Sequence, residues 1–499
     1  MNLKEDRALE FKLIKGDPLK LKSNVLVIGK FEEESISKTV KKVNEALKGT
    51  ISQLIEEESY KSVIGKTLNV NTVGKTGSDR ILLVGLGKKS EFSPNSLKKV
   101  GIAVAKKVKK FASKVIFNLD IEGSNLNSQN LIMGLILGTY EFNKYKSNND
   151  DSSSTTDTKY NFIWSKLNQK DFDNSLQKAT GIAEATCFTR DLVNEPPDTM
   201  TPTRLGELAK EIADENGLEC EIFNNVDIRQ KGMGGLYAVS KGSLEDPRFI
   251  HLTYKPKKKA RKTVAIVGKG ITFDSGGLCL KPADYMKTMK MDMGGSAVVL
   301  GVMKVISLLK PSVKVHALIS ASENMTGGGA YKPDDVVTAL NGKTIEVVNT
   351  DAEGRIVLSD ALSYAVNLGV EEIVDLATLT GACIVALGNY TAGVMGNNQL
   401  IINKILKAAN TVGEKVWQLP MDEELRKDID SDIADVKNVG SRYGGAITAA
   451  MFLENFVDDT PWAHIDIAGP TFIEKGGEFY PKGATGFGVQ TILQYLLER

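Results

Sequence analysis

Apolar positions along the chain switch between a period near two and a period near 3.6, and the order of the switches predicts the fold. In the first third, strand-like runs at Asn24 to Gly29, Ile81 to Gly85 and Val115 to Leu119 alternate with helical stretches such as Leu97 to Phe111. This pattern predicts a small α/β domain over residues 1–165. A helical pattern from Asp171 to Val193 follows, and the paired prolines of NEPPDTMTP, from Asn194, end it; residues 166–198 read as a connecting helix and linker. From 199 to 499, the runs Phe249 to Tyr254, Thr263 to Gly268, Lys314 to Ser320, Ile345 to Val348, Ile373 to Leu376 and Ala463 to Ile467 have helices between them. That order predicts a second α/β domain whose mixed, largely parallel sheet carries helices on both faces. Asn148 to Thr158, NNDDSSSTTDT, is the most polar segment and reads as a surface loop.

Composition narrows the class. The 499 residues are 42% hydrophobic and 25% charged, enough chain for two or three domains with a sizeable core. A net charge of +1 gives no general attraction to nucleic acid or membranes. Lys255 to Lys262 packs six positive charges into eight residues; it reads as a solvated loop between strands, with an additional DNA-binding role as the alternative. Cys187, Cys220, Cys279 and Cys383 are scattered without a CxxC pair and read as reduced, buried thiols. No apolar run is read as long enough to span a membrane, and the charged start MNLKEDRALE has no signal-peptide core, so a cytoplasmic location is expected.

The chemistry concentrates in two places. NTDAEGRIVL, from Asn349, sets Asp351, Glu353 and Arg355 at alternate positions. In an extended segment these would project two hard oxygen ligands and a cation into one cleft; alternatively Thr350 and Glu353 form a capping box ahead of a helix from Ile356 to Val366. Upstream, GKGITFDSGGLCLKP from Gly268 and KMDMGGSA from Lys290 supply Lys269, Asp274, Lys281 and Asp292 among glycines at a strand end. The three histidines, His251, His316 and His464, lie in neither cluster, so a zinc site built on histidine is not expected. A metal site here would use carboxylates and a lysine amine, and carboxylates bridging two ions would make a hydrolytic centre for amides or, as a rival, phosphoesters.

NTDAEGRIVL, GKGITFDSGG, ENMTGGGAYKP from Glu323 and RDLVNEPPDTMTP from Arg190 together resemble the leucyl aminopeptidase family, the cytosol aminopeptidases. The resemblance runs from about Arg190 to the C-terminus. It implies a peptidase releasing N-terminal residues, leucine and other apolar ones foremost. It implies two divalent ions, Mn²⁺ or Zn²⁺, on Lys269, Asp274, Asp292, Asp351 and Glu353, with Asp274 and Glu353 bridging. Catalysis falls by resemblance on Lys281, which faces the oxyanion, and on Arg355, which holds bicarbonate as a proton shuttle. Met289, Thr378 and Gly381 are implied around the substrate side chain. The family resemblance further implies a homohexamer acting on peptides.

Overall fold

The computed structural model describes residues 9–33, 36–147 and 158–499; the polar segment Asn148 to Asp157 lies outside them. The chain divides into two compact units, Met1–Glu184 and Ala185–Arg499, and the helix Gln169–Asn194 carries it from one into the other.

The first unit is built on a six-stranded sheet. Its strands run in the spatial order Glu10–Leu13, Lys159–Phe162, Lys114–Asn118, Ser23–Lys30, Ser78–Gly85, Thr67–Asn71, and all pairs are parallel except the last. Leu26, Ile28, Ile81, Leu83 and Ile116 project from this sheet into a core completed by Val40, Val43 and Ile51 of the flanking helices.

The second unit has an eight-stranded sheet. Its order is Lys415–Gln418, Thr391–Gly396, Trp462–Asp466, Glu372–Ala377, Thr263–Asp274, Lys314–Asn324, Arg248–Tyr254, Glu219–Phe223. Four neighbouring pairs are parallel and three antiparallel. The helices Pro202–Asn216, Gly294–Leu309, Gln399–Val412 and Val489–Leu497 form one layer, and Gly234–Ser240, Glu353–Asn367 and Gly445–Glu454 form the other. With both faces covered, the central strands are buried along nearly their whole length, so apolar residues fall on both faces of each, with polar residues such as His316 and Asp375 buried among them.

Two expectations need correction. The strand that begins at Thr263 does not stop at Gly268 but continues to Asp274; Lys269, Gly270 and Thr272 break the apolar pattern without breaking the ladder. Met289–Leu309 is apolar and long enough to cross a membrane by length and composition, contrary to the reading of the sequence. Its apolar window is 78% buried inside this unit, so it is a core helix.

Candidate active site

The central strand Thr263–Asp274 delivers Lys269 and Asp274 to its carboxyl end, and close backbone contact brings Asp292 beside them. A Cβ on Gly268 would lie 2.7 Å from the Gly295 carbonyl oxygen, and one on Gly295 would lie 2.0 Å from that of Leu376. Only hydrogen at these positions lets the start of the helix Gly294–Leu309 press against the sheet. Asp292, on the short turn Met289–Met293 just before this helix, is thereby set 2.7 Å, through Oδ2, from Lys269 Nζ. Beyond Asp274 the chain reverses through Gly276 and Gly277, whose φ of 89° and 63° lie in the left-handed region. A Cβ on Gly276 would also meet the Cys279 carbonyl oxygen at 2.5 Å and Asp351 Oδ1 at 2.8 Å. This turn carries Lys281 back over the strand end.

The NTDAEGR segment is neither an extended strand nor a capping box. Asn349 Oδ1 accepts the Asp351 N–H at 2.8 Å, forming a turn, and the helix Glu353–Asn367 starts after Ala352, which supplies no side-chain cap. The Thr350 hydroxyl instead donates to the Gly276 carbonyl at 2.7 Å and accepts the Cys279 N–H at 2.8 Å, tying the two motifs together. Asp274, Asp351 and Glu353 each offer a carboxylate oxygen within 4.8 Å of the others, an arrangement able to hold a metal ion.

Two lysines thread this acidic cluster. Lys269 Nζ is 2.9 Å from Glu353 Oε1 as well as 2.7 Å from Asp292, and it donates to the Thr378 carbonyl at 3.1 Å. Lys281 Nζ lies 2.8 Å from Asp274 Oδ2 and 2.6 Å from Asp351 Oδ1. Burial alone would depress both ammonium groups, but the surrounding carboxylates overcome it and hold both pKa values above the usual lysine range. Burial, reinforced by the negative charge of Asp274, raises Glu353 and Asp351, and burial raises Asp292. Glu353 Oε2 is buried with no hydrogen-bond partner among the described residues. Several carboxylates crowded out of water, one with an orphaned oxygen, fit divalent cations, which would relieve both penalties at once. Arg355 lies two residues after Glu353 on the same helix, 8% exposed, with Nη1 donating to the Asn438 carbonyl at 2.7 Å. Burial lowers its pKa to about 10.

Of the residues expected around a substrate side chain, Thr378 touches the acidic cluster directly. Thr378 Oγ1 donates to Asp292 Oδ1 at 2.8 Å, Met289 is half-buried on the turn that carries Asp292, and Gly381 opens the helix Gly381–Leu387. A Cβ on Gly381 would meet nothing within 4 Å. Asn324 and Asn438 also belong to the site and were not singled out from sequence: Asn438 accepts the Val348 N–H and donates to the Asn349 carbonyl at 2.7 Å. Lone asparagines have no periodic or motif signal of their own, although Asn324 lies inside ENMTGGGAYKP.

The histidines are elsewhere, His251 bonding to His316 at 2.8 Å and His464 to Asp375 at 2.5 Å. The basic stretch from Lys255 is a loop between strands, and Lys255 and Lys262 pair with Glu219 and Glu372. Of the four cysteines only Cys383 is fully buried; Cys187, Cys220 and Cys279 are half-buried.

Similarity to known proteins extends over both units. The catalytic-domain model of the cytosol aminopeptidase family matches residues 187–493, and its N-terminal-domain model matches 27–149. A probable cytosol aminopeptidase of Sulfurihydrogenibium sp. is 47% identical over 96% of this chain and 96% of its own. One of Aquifex aeolicus is 44% identical over 99% of each. Among solved structures, a mutant of tomato leucine aminopeptidase superposes with a TM-score of 0.90 at 35% identity, covering 100% of this chain and 98% of that one. The bottromycin maturation enzyme BotP in complex with Mn gives 0.83 at 32% identity, over 95% of this chain and 99% of that one. The chain belongs to the cytosol aminopeptidase family.

Proposed function

We propose that this protein is a two-metal aminopeptidase that hydrolyses the first peptide bond of peptides with a free α-amine, preferring leucine and other apolar N-terminal residues. The observation that carries the reading is the convergence of Lys269, Asp274, Asp292, Asp351 and Glu353, from three separate segments, on one buried strand end. The Mn bound by BotP supports a metal of this kind here. Lys269, Asp274, Asp292, Asp351 and Glu353 would hold two divalent ions, Mn²⁺ or Zn²⁺. Such ions supply Lewis acidity toward the scissile carbonyl and make water a nucleophile near neutral pH.

The chain's own groups do the rest. Lys281, kept protonated by its acidic neighbours, offers an ammonium hydrogen to the oxygen on which negative charge develops. Lys269 must give up its proton to act as a ligand, so binding is expected to strengthen as pH rises. Arg355, buried on the same helix as Glu353, would hold a bicarbonate, which when bound supplies proton-transfer chemistry. Open space beside Gly381 would leave room for an aliphatic side chain, and Met289, half-buried on the turn that carries Asp292, would be a further apolar contact. Residues 1–165 would serve assembly into a homohexamer, 166–198 connect, and 199–499 carry the chemistry in the cytoplasm. Mass spectrometry of a leucine-initiated peptide and its N-acetylated twin, each incubated with Mn²⁺-loaded protein, tests the reading. Loss of one residue from the free peptide alone is expected, and cleavage of both, or of neither, would contradict it.

A further inference from the structure

Asn324 closes the strand Lys314–Asn324, and the ladder sets it directly opposite Asp274 after a register shift between Ser322 and Glu323. The extra residue, Thr272, belongs to the strand that carries Asp274, and past it Asn324 and Asp274 again stand opposite each other. Asn324 is completely buried. Its Nδ2 donates to Asp274 Oδ1 at 2.8 Å and to the Thr350 carbonyl at 2.9 Å, so both amide hydrogens are committed, one to each of the two motifs that supply the acidic cluster. Turning the amide over would set its oxygen against a carboxylate and a carbonyl, three acceptors with no donor, so the chemistry fixes its orientation. The backbone carbonyl of Asn324 accepts from Ser275 N–H at 3.0 Å and Ser275 Oγ at 2.7 Å, which pins the residue after Asp274 as well. Gly277 makes room for the amide: a Cβ there would come within 2.8 Å of Asn324 Oδ1.

The consequence for Asp274 is a division of labour between its two oxygens. Oδ1 takes two N–H donors, from Asn324 and from Gly276 at 2.9 Å. Oδ2 takes none from the backbone and turns to Lys281. We propose that Asn324 is a positioning residue for the metal centre, holding the Asp274 carboxylate so that Oδ2 is the oxygen offered to the ions. This rests on the two-metal aminopeptidase reading. Groups that hydrogen-bond a metal ligand and fix its orientation typically change metal affinity or activity by about 10- to 100-fold when removed.

A purely structural tie would behave differently, lowering the melting temperature and leaving affinity alone. The test is Mn²⁺ binding to chelator-stripped full-length protein, followed by competition with a fluorescent chelator, for wild type, Asn324→Ala, the near-isosteric Asn324→Leu, and Tyr331→Phe. Tyr331 O–H donates to the same Thr350 carbonyl at 2.8 Å but does not bond to Asp274, so its loss separates the two arms of the Asn324 amide. Both Asn324 variants are expected to bind Mn²⁺ about 10- to 100-fold more weakly. Excess Mn²⁺ should restore their kcat with KM for peptide unchanged, and Tyr331→Phe should stay within about twofold of wild type. Asn324→Leu keeps the buried volume and decides the matter where the alanine variant does not fold. Variants that bind Mn²⁺ as tightly as wild type, or a Tyr331→Phe variant as weak as Asn324→Ala, would overturn the assignment. Wild-type protein that binds no Mn²⁺ would instead remove the reading on which it rests.

Discussion

Gly354 lies directly against the end of the Lys269 side chain: a Cβ on Gly354 would come within 2.5 Å of Lys269 Cε and 2.6 Å of Nζ. Lys269 has nowhere to go, since Asp292, Glu353 and the Thr378 carbonyl already hold its ammonium group. The glycine of NTDAEGR therefore serves the lysine of GKGITFDSGG, a link invisible until the two motifs meet. Gly354→Ala would gain about 1 kcal/mol of helix propensity and lose about 1–3 kcal/mol to overpacking. A melting temperature within a few degrees of wild type is expected, together with at least tenfold weaker Mn²⁺ binding as the amine is pushed aside. Unchanged affinity would show that Lys269 shifts freely.

Glu353 and Lys281 should separate metal binding from turnover. Glu353→Gln removes one negative charge from the buried cluster and should abolish stoichiometric metal uptake along with nearly all activity. Lys281→Ala should retain metal and lower kcat by about 10²- to 10³-fold, the usual effect of losing one donor to a developing oxyanion. Metal analysis of both purified variants checks this, and equal metal loss in the two would contradict the separate roles.

Gly381 offers a specificity test that leaves the fold alone, because its Cβ position is open. Gly381→Leu should unfold at the wild-type temperature. Its kcat/KM for leucyl substrates should drop about 10- to 100-fold relative to alanyl substrates, as expected when a few methylenes fill a pocket. Equal changes for both substrates would place Gly381 outside the pocket.

Acid sensitivity should come in part from the histidine pair. Burial, followed by the charges of Lys314 and His251, depresses His316 from 6.5 to about 4, and burial lowers His251. The unfolded chain thus takes up protons near pH 6.5 that the folded chain refuses, and stability falls as pH drops from about 6.5 toward 4, by on the order of 3 kcal/mol for His316. His316→Asn should flatten the melting temperature between pH 7.5 and 5. Parallel losses in variant and wild type would assign the sensitivity to other groups.

Much of this arrangement was legible in the sequence, for identifiable reasons. The doubly covered sheet announces itself because strands such as Lys314–Asn324 and Glu372–Ala377 carry apolar residues on both faces. Lys269, Asp274, Asp292, Asp351 and Glu353 stand in glycine-flanked motifs, and the structure does bring all five together. What sequence did not reveal are contacts between distant segments. The approach of Gly268 to Gly295, the amide bridge from Asn324 and the Thr350 hydroxyl between Gly276 and Cys279 each need the tertiary fold before they exist. Thr350 also shows how a local rule yields to tertiary context, since its hydroxyl bonds across the site instead of capping the helix it precedes.

The most direct measurement is the release of p-nitroaniline from leucyl p-nitroanilide by chelator-stripped protein, with and without added Mn²⁺ or Zn²⁺, beside the N-acetylated substrate. No turnover is expected without metal, with turnover restored by metal and none on the acetylated control. Cleavage that ignores metal, or that proceeds equally on the blocked substrate, would contradict a metal-dependent aminopeptidase built on this acidic cluster.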